Sequence, residues 1–206
     1  MSYKYDNYRN DIVPFIPKIA KTILDVGCGT GKLIGLLSQN GKICYGVEPN
    51  INAATIANGN AYKIINKKIE EALNDIPNEF FDVILLLDVL EHTKEPLLIL
   101  KSLKIKLNKS GIIISSIPNI RYFHTFYNLV VKKEFYCTES GVMDSTHLRF
   151  FTYKSILKLF NDAGYSIILQ KGINPTPSKK LKFLNFLSFG LLEDCQYMQF
   201  VTIAKK

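Results

Sequence analysis

Glycines at positions 27, 29 and 31 crowd the stretch Leu24-Asp-Val-Gly-Cys-Gly-Thr-Gly31. Between a strand and a helix, such a turn lets backbone approach a ligand closely and aims N–H donors at it. The spacing is G-x-G-x-G with Lys at 32, not the G-x-G-x-x-G of a dinucleotide-binding turn. Asp25 stands before the first glycine, where a carboxylate would repel a pyrophosphate yet could hold an ammonium. Glu48 follows 21 residues after Gly27. At about 20 residues, an acid ending the next strand can accept hydrogen bonds from both hydroxyls of a ribose. A chance glycine turn beside an exposed Glu is the bland alternative, and the combination argues against it.

A second constellation is Asp88-x-x-Glu91-His92, with His147 far downstream. An imidazole, whose pKa in peptides is about 6.5, suits the removal of a proton from a hydroxyl near neutral pH. His147 and His92 are the candidate bases, with Glu91 beside them. Two other readings stay open. Asp88, Glu91, His92 and His147 could form a carboxylate–imidazole metal set, or Glu91 and His92 could cap a helix while His147 bonds locally.

The elements that must position these groups follow from apolar patterning. Short β-branched runs alternate with helical stretches, as in βαβ units around a parallel sheet. Strands are expected at 22–26, 42–48, 62–65, 81–87, 112–117, 165–170 and about 196–204. Phe81 to Leu87 is the most apolar, hence central. Helices are expected at about 32–39, 52–58, 95–107 and 152–163, the last with Thr152 as N-cap and Gly164 as its stop. Glu91 and His92 are expected to open a helix facing the crevice at the carboxyl end of strand four.

The chain has 206 residues, 47% of them hydrophobic and 21% charged, which fits one globular domain spanning 1–206. Its net charge of +8 is carried almost wholly by lysine, with only Arg9, Arg121 and Arg149 as arginines. Nucleic-acid surfaces favour the bidentate guanidinium, so a solvated lysine-rich surface is the better reading and a nucleic-acid partner is not expected. The four cysteines form no C-x-x-C pair, which removes zinc knuckles and dithiol redox motifs. Residues 1–10 lack an apolar signal region, and no apolar run is long enough to span a membrane. A reducing cytoplasm is the expected compartment.

With these residues in place, the chain resembles class I S-adenosylmethionine (SAM) methyltransferases. The likeness is to the branch of ubiquinone-type O-methyltransferases and methyltransferases of polysaccharide gene clusters. It covers about residues 5–171 and rests on Ile23 to Gly31, Phe81 to His92, Ile117-Pro-Asn119 and Met143 to Thr152. The resemblance implies an α/β, Rossmann-like fold with a seven-stranded, mostly parallel sheet of order 3-2-1-4-5-7-6 and helices on both faces. It implies SAM as cofactor and S-adenosylhomocysteine as product. Asp25, Gly27, Cys28 and Gly29 would line the methionine part, Glu48 would hold the ribose, and Asp88 would border the cofactor. Where this family often places an adenine-binding acid, Lys68 stands, leaving backbone groups and Ile69 for the ring. The acid–histidine set also looks similar to the metal-binding set of some RNA-terminal 2′-O-methyltransferases.

The expected reaction is O-methylation of a small-molecule or saccharide hydroxyl. A nucleic-acid methyltransferase is the first alternative, disfavoured because Asp88-Val-Leu-Glu replaces a [DN]-P-P-[YFW] box and no Cys follows a Pro. A SAM-binding protein without catalysis is the second. Acceptor choice is expected in two insertions, about 119–146 and 172–194. The first groups Tyr122, Phe123, His124, Phe126 and Tyr127; the second carries Lys179 to Leu192, which suits a lid or a homodimer contact better than an interfacial amphipathic helix.

Overall fold

A computed structural model describes residues 8–206; the expectation for the stretch 1–10 falls mostly outside them. Seven strands form one sheet in the order β3-β2-β1-β4-β5-β7-β6. They are β1 Thr22–Val26, β2 Ile43–Val47, β3 Lys63–Ile65, β4 Phe81–Leu87, β5 Leu107–Pro118, β6 Ser166–Pro175 and β7 Tyr197–Lys205. The first five pair in parallel, and β7 runs antiparallel between β5 and β6. β4 lies between β1 and β5, and Val83 to Leu86 are fully buried. A strand packed on both faces must be continuously apolar, which is why its run of Val, Ile and Leu stands out in sequence.

The helices are α1 Lys32–Gln39, α2 Ile51–Ala57, α3 Ile69–Ala72, α4 Pro96–Lys104, α5 Phe123–Tyr127, α6 Tyr153–Asp162 and α7 Lys179–Leu187. Two apolar layers flank the sheet. One joins Leu24, Ile84 and Leu86 to Leu100, Leu103, Ile156 and Phe160; the other joins Ile23, Val83 and Leu85 to Leu33, Ile34, Leu37 and Ile12. Thr152 caps α6 in a reciprocal box with Ser155, and Gly164 follows at φ +80°, as expected.

Three boundaries differ from the sequence expectation. Glu91 and His92 do not open a helix: Leu90–His92 is a single 3-10 turn, and α4 begins only at Pro96. Proline forces the preceding residue out of the helical region, and Glu95 sits at φ −128°, ψ 69°. Strand β5 begins at Leu107 rather than 112. A side chain at Gly111 would meet the Phe81 carbonyl at 2.7 Å, so glycine lets the strand run on beside a register shift. Strand β6 extends to Pro175, taking in the first residues of the stretch expected to be an insertion. Among the described residues no helix is long and apolar enough to cross a membrane.

Candidate active site

The carboxyl end of β1 turns through Gly27, Gly29 and Gly31 at φ of +74°, +56° and +77°. Left-handed backbone at three positions in five is a conformation that glycine takes without strain. At Gly31 a Cβ would lie 2.9 Å from the Cα of Ala57, so its absence lets α1 and α2 close together. At Gly29 nothing lies within 4 Å of that position, and the open space belongs to a cavity.

That cavity has a volume of about 950 Å³, within the range of small-molecule sites, about 300–1,000 Å³. Its wall includes Asp25, Gly27, Cys28, Gly29, Glu48, Ile69, Asp88 and His92. All seven residues expected around the cofactor therefore meet in one space. Glu91 and His147 lie behind the wall rather than on it, while Thr146 and Leu148 line it.

Glu48 immediately follows β2, the strand neighbouring β1. Its Oε2 accepts from the Gly29 N–H at 2.9 Å and its Oε1 from the Asn50 N–H at 2.8 Å. The carboxylate is thus pinned by two backbone donors, and each oxygen keeps capacity for one more. Asp25 is buried, and desolvation pushes its carboxyl up to about 7, with Glu48 adding and Arg9 opposing. Burial also raises the Cys28 thiol far above the ordinary range, which removes it as a nucleophile.

Three wall residues were not legible beforehand, nor was Gln199, which bonds the wall residue Asp88. Arg9 donates from Nη1 to Asp88 Oδ2 at 2.7 Å and from Nη2 to Ser116 Oγ at 2.8 Å, and also bonds Asp11. Gln199 of β7 donates to the other Asp88 oxygen. Glu70 and Glu71 line the cavity beside Lys68 and Ile69, so acids are present two and three residues beyond the Lys68 position. Only a rule joining residues 9, 88 and 199 through the sheet topology would have found the Asp88 cluster.

The histidines are brought together by the 142–149 segment. The N–H groups of Leu148 and Arg149 both donate to the Glu91 carbonyl, at 2.8 and 3.0 Å. Buried Asp144 accepts from the Thr146 N–H and hydroxyl, at 2.9 and 2.7 Å. His92 Nδ1 faces the Thr146 carbonyl and His147 Nδ1 faces the Val142 carbonyl, each at 3.1 Å. A ring nitrogen facing a carbonyl carries the proton, so Nε2 is the basic nitrogen of both rings. Their centroids are 4.8 Å apart. Glu91, His92 and His147 offer ligand atoms within 4.8 Å of one another. Asp88 stands outside this group with both oxygens engaged, so the four-residue metal set of the sequence reading contracts to three. Glu91 is 1% exposed, and neither carboxyl oxygen has a hydrogen-bond partner. Burial, then the charge of Asp88, pushes its carboxyl well above the ordinary carboxylate range.

The motif Ile117-Pro-Asn119 has a structural duty. The buried Asn119 amide donates to the Asp194 and Tyr197 carbonyls, and its oxygen accepts from the Arg121 N–H. Beyond it lies a second hollow of about 230 Å³, lined by Tyr122, His124, Leu129, Tyr136, Met143 and Met198 among others.

Residues 1–170 match a family described as a methyltransferase domain. A ubiquinone biosynthesis O-methyltransferase of Bradyrhizobium diazoefficiens is 31% identical over 116 residues, 55% of this chain and 46% of that protein. A tRNA U34 carboxymethyltransferase of Campylobacter fetus is 35% identical over 107 residues, 50% of this chain and 38% of that one. The chain spans about half the length of these curated relatives or less. In three dimensions it is similar to a SAM-dependent methyltransferase from Archaeoglobus fulgidus, at a TM-score of 0.71 and 18% identity, covering 96% and 92% of the two chains. The fold, the cavity at the strand ends and the match over residues 1–170 lead to one assignment: the chain belongs to the methyltransferase-domain family, in its class I SAM-dependent form.

Proposed function

We propose that the chain transfers a methyl group from SAM to a hydroxyl of a small-molecule or saccharide acceptor. One observation carries the reading: the cavity joins the pinned Glu48 carboxylate, the open glycine turn and buried Asp25 to a wall that ends at His92. These residues fit the cofactor part by part. The second lone pairs of Glu48 suit the two ribose hydroxyls, and Ile69 gives the adenine an apolar face with Glu70 and Glu71 near its amino group. Asp25 faces the amino-acid ammonium, and Arg9 supplies charge for the carboxylate. SAM, when bound, supplies a methyl made electrophilic by a sulfonium.

The rest of the work falls to the chain. The wall holds the acceptor oxygen in line with the methyl, and alignment of this kind can be worth roughly 7–11 kcal/mol. His147 or His92 takes the hydroxyl proton at Nε2, and the carbonyls behind each Nδ1 fix the tautomer that can do so. The Glu91 carbonyl, accepting from the Leu148 and Arg149 N–H groups, anchors the segment that brings His147 beside His92. The aromatic-lined hollow beside the 142–147 segment suits the body of the acceptor. The ubiquinone O-methyltransferase relatives act, by their name, on oxygen, which supports this choice.

A divalent cation held by Glu91, His92 and His147 is the second reading. The partnerless, buried Glu91 carboxyl favours it, since a cation would supply the partner that its ionised form lacks. The two readings separate in one assay, transfer of labelled methyl to a panel of hydroxylated small molecules, saccharides and tRNA. The base reading expects turnover that survives chelation and falls about 10²-fold or more in His147→Ala or His92→Ala. Turnover abolished by chelation and restored by manganese or magnesium would favour the metal, and labelling confined to tRNA would move the acceptor to nucleic acid.

A further inference from the structure

Helix α7 is fastened to the fold by one side only. Leu181 is 3% exposed, and the Asn185 side chain accepts from the Leu192 N–H at 2.9 Å. At about 100° per residue, these two positions mark the inward direction. Lys179, Phe183 and Phe186 then point the opposite way, with Leu187 beside them and Lys180 and Lys182 on the two flanks. Phe186 is 79% exposed. In the turn that follows, Phe189 is 98% exposed at φ +52°, a backbone region unfavourable for an aromatic residue. Folding of this chain gains nothing from an apolar ring at that tip.

The charges point the same way. Three lysines crowd the start of α7, where the helix dipole favours acids, and no acid lies between Ser178 and Leu192. An anionic surface meeting them would turn that cost into a gain. A second copy of the same face would set lysines against lysines, which disfavours an isologous dimer. An apolar ridge flanked by lysines is instead the pattern of a helix lying in a lipid headgroup layer.

We infer that α7 and the turn through Leu191 dock on an anionic bilayer surface. Phe183, Phe186, Leu187 and Phe189 enter the headgroup–acyl boundary, and Lys179, Lys180 and Lys182 meet lipid phosphates. The inference is independent of the methyl acceptor. Its test is co-sedimentation with vesicles of phosphatidylcholine alone and of phosphatidylcholine mixed with phosphatidylglycerol. Binding is expected on the mixed vesicles, weakening as salt is raised. The double variant Phe186→Ser/Phe189→Ser and the triple variant Lys179→Gln/Lys180→Gln/Lys182→Gln should each lower the partition coefficient about tenfold or more. Both replace exposed side chains, so melting temperature and far-ultraviolet dichroism should match the unsubstituted protein. Equal partitioning of the variants, or no preference for the anionic lipid, would overturn the inference. So would a lipid-free dimer, seen by light scattering, that the phenylalanine substitutions dissociate.

Discussion

A carboxyl group taken out of water needs donors, a cation or a proton, and the acids of this site divide among those outcomes. Glu48 has its donors from the backbone. Asp25, buried with a carboxyl raised to about 7, is largely protonated below neutrality. The sign follows from linkage: its contribution to folding stability is fully present below the unfolded value near 3.8 and is lost as pH rises toward 7. The ligand-free protein should therefore lose melting temperature between pH 5 and about 7.5 more steeply than Asp25→Asn, as differential scanning fluorimetry can measure. Affinity should run the opposite way, because the ammonium needs the ionised form. Calorimetric titration with S-adenosylhomocysteine is expected to show binding weakening below pH 7 by up to about tenfold per unit, with a flatter profile in Asp25→Asn. On the proposed reading, Glu48→Ala removes the acceptor for both ribose hydroxyls. Binding should fall about tenfold to several hundredfold, the scale of charge-assisted hydrogen bonds. These two acids were legible in sequence because a β-α-β unit places them at fixed local spacing. Arg9 and Gln199 were not, since nothing in their neighbourhoods records that both reach Asp88.

Elements hold the histidines where single residues cannot. The 142–149 segment has almost no regular structure, yet it is tied to the 3-10 turn after β4 through the Glu91 carbonyl and knotted internally by Asp144. Removing the Asp144 acceptor with Asp144→Ala should cost roughly 1–3 kcal/mol. Its kinetic signature should be a larger fall in kcat than change in KM for SAM, because the glycine turn and the Glu48 carboxylate keep their contacts. The glycine turn fails differently. Gly31→Ala puts a methyl against Ala57 at a left-handed position, and about 2 kcal/mol of lost stability would lower the melting temperature by about 4–8 °C. The turn was visible in sequence because steric demand leaves glycine as its record. The 3-10 turn was hidden, since Glu91 and His92 have helical company until Pro96 forces the break. The 119–149 region was the least legible part, because irregular backbone held by scattered polar contacts leaves no period to read.

Across the whole molecule, strand order was recoverable from the family resemblance, whereas patterning alone gave only the alternation of strands and helices. The reason is physical: apolar periodicity marks which residues are buried but not which strand lies beside which. Parallel pairing from β3 to β5 is built from βα units, but β7 must enter between β5 and β6 in the opposite sense. Without residues 197–205, β5 would present an unpaired edge whose buried stretch runs from Ile113 to Pro118. Deleting them should give an aggregating product, detectable by size exclusion.

The meeting of Arg9, Gln199 and Asp88 makes the cavity wall a junction of three stretches that are far apart along the chain. A partly assembled intermediate, however native its central strands, has no such junction. Capture of nucleoside should thus be an all-or-none reporter of completed assembly, and a saturating nucleoside should delay one concerted melting step instead of protecting half of the polypeptide.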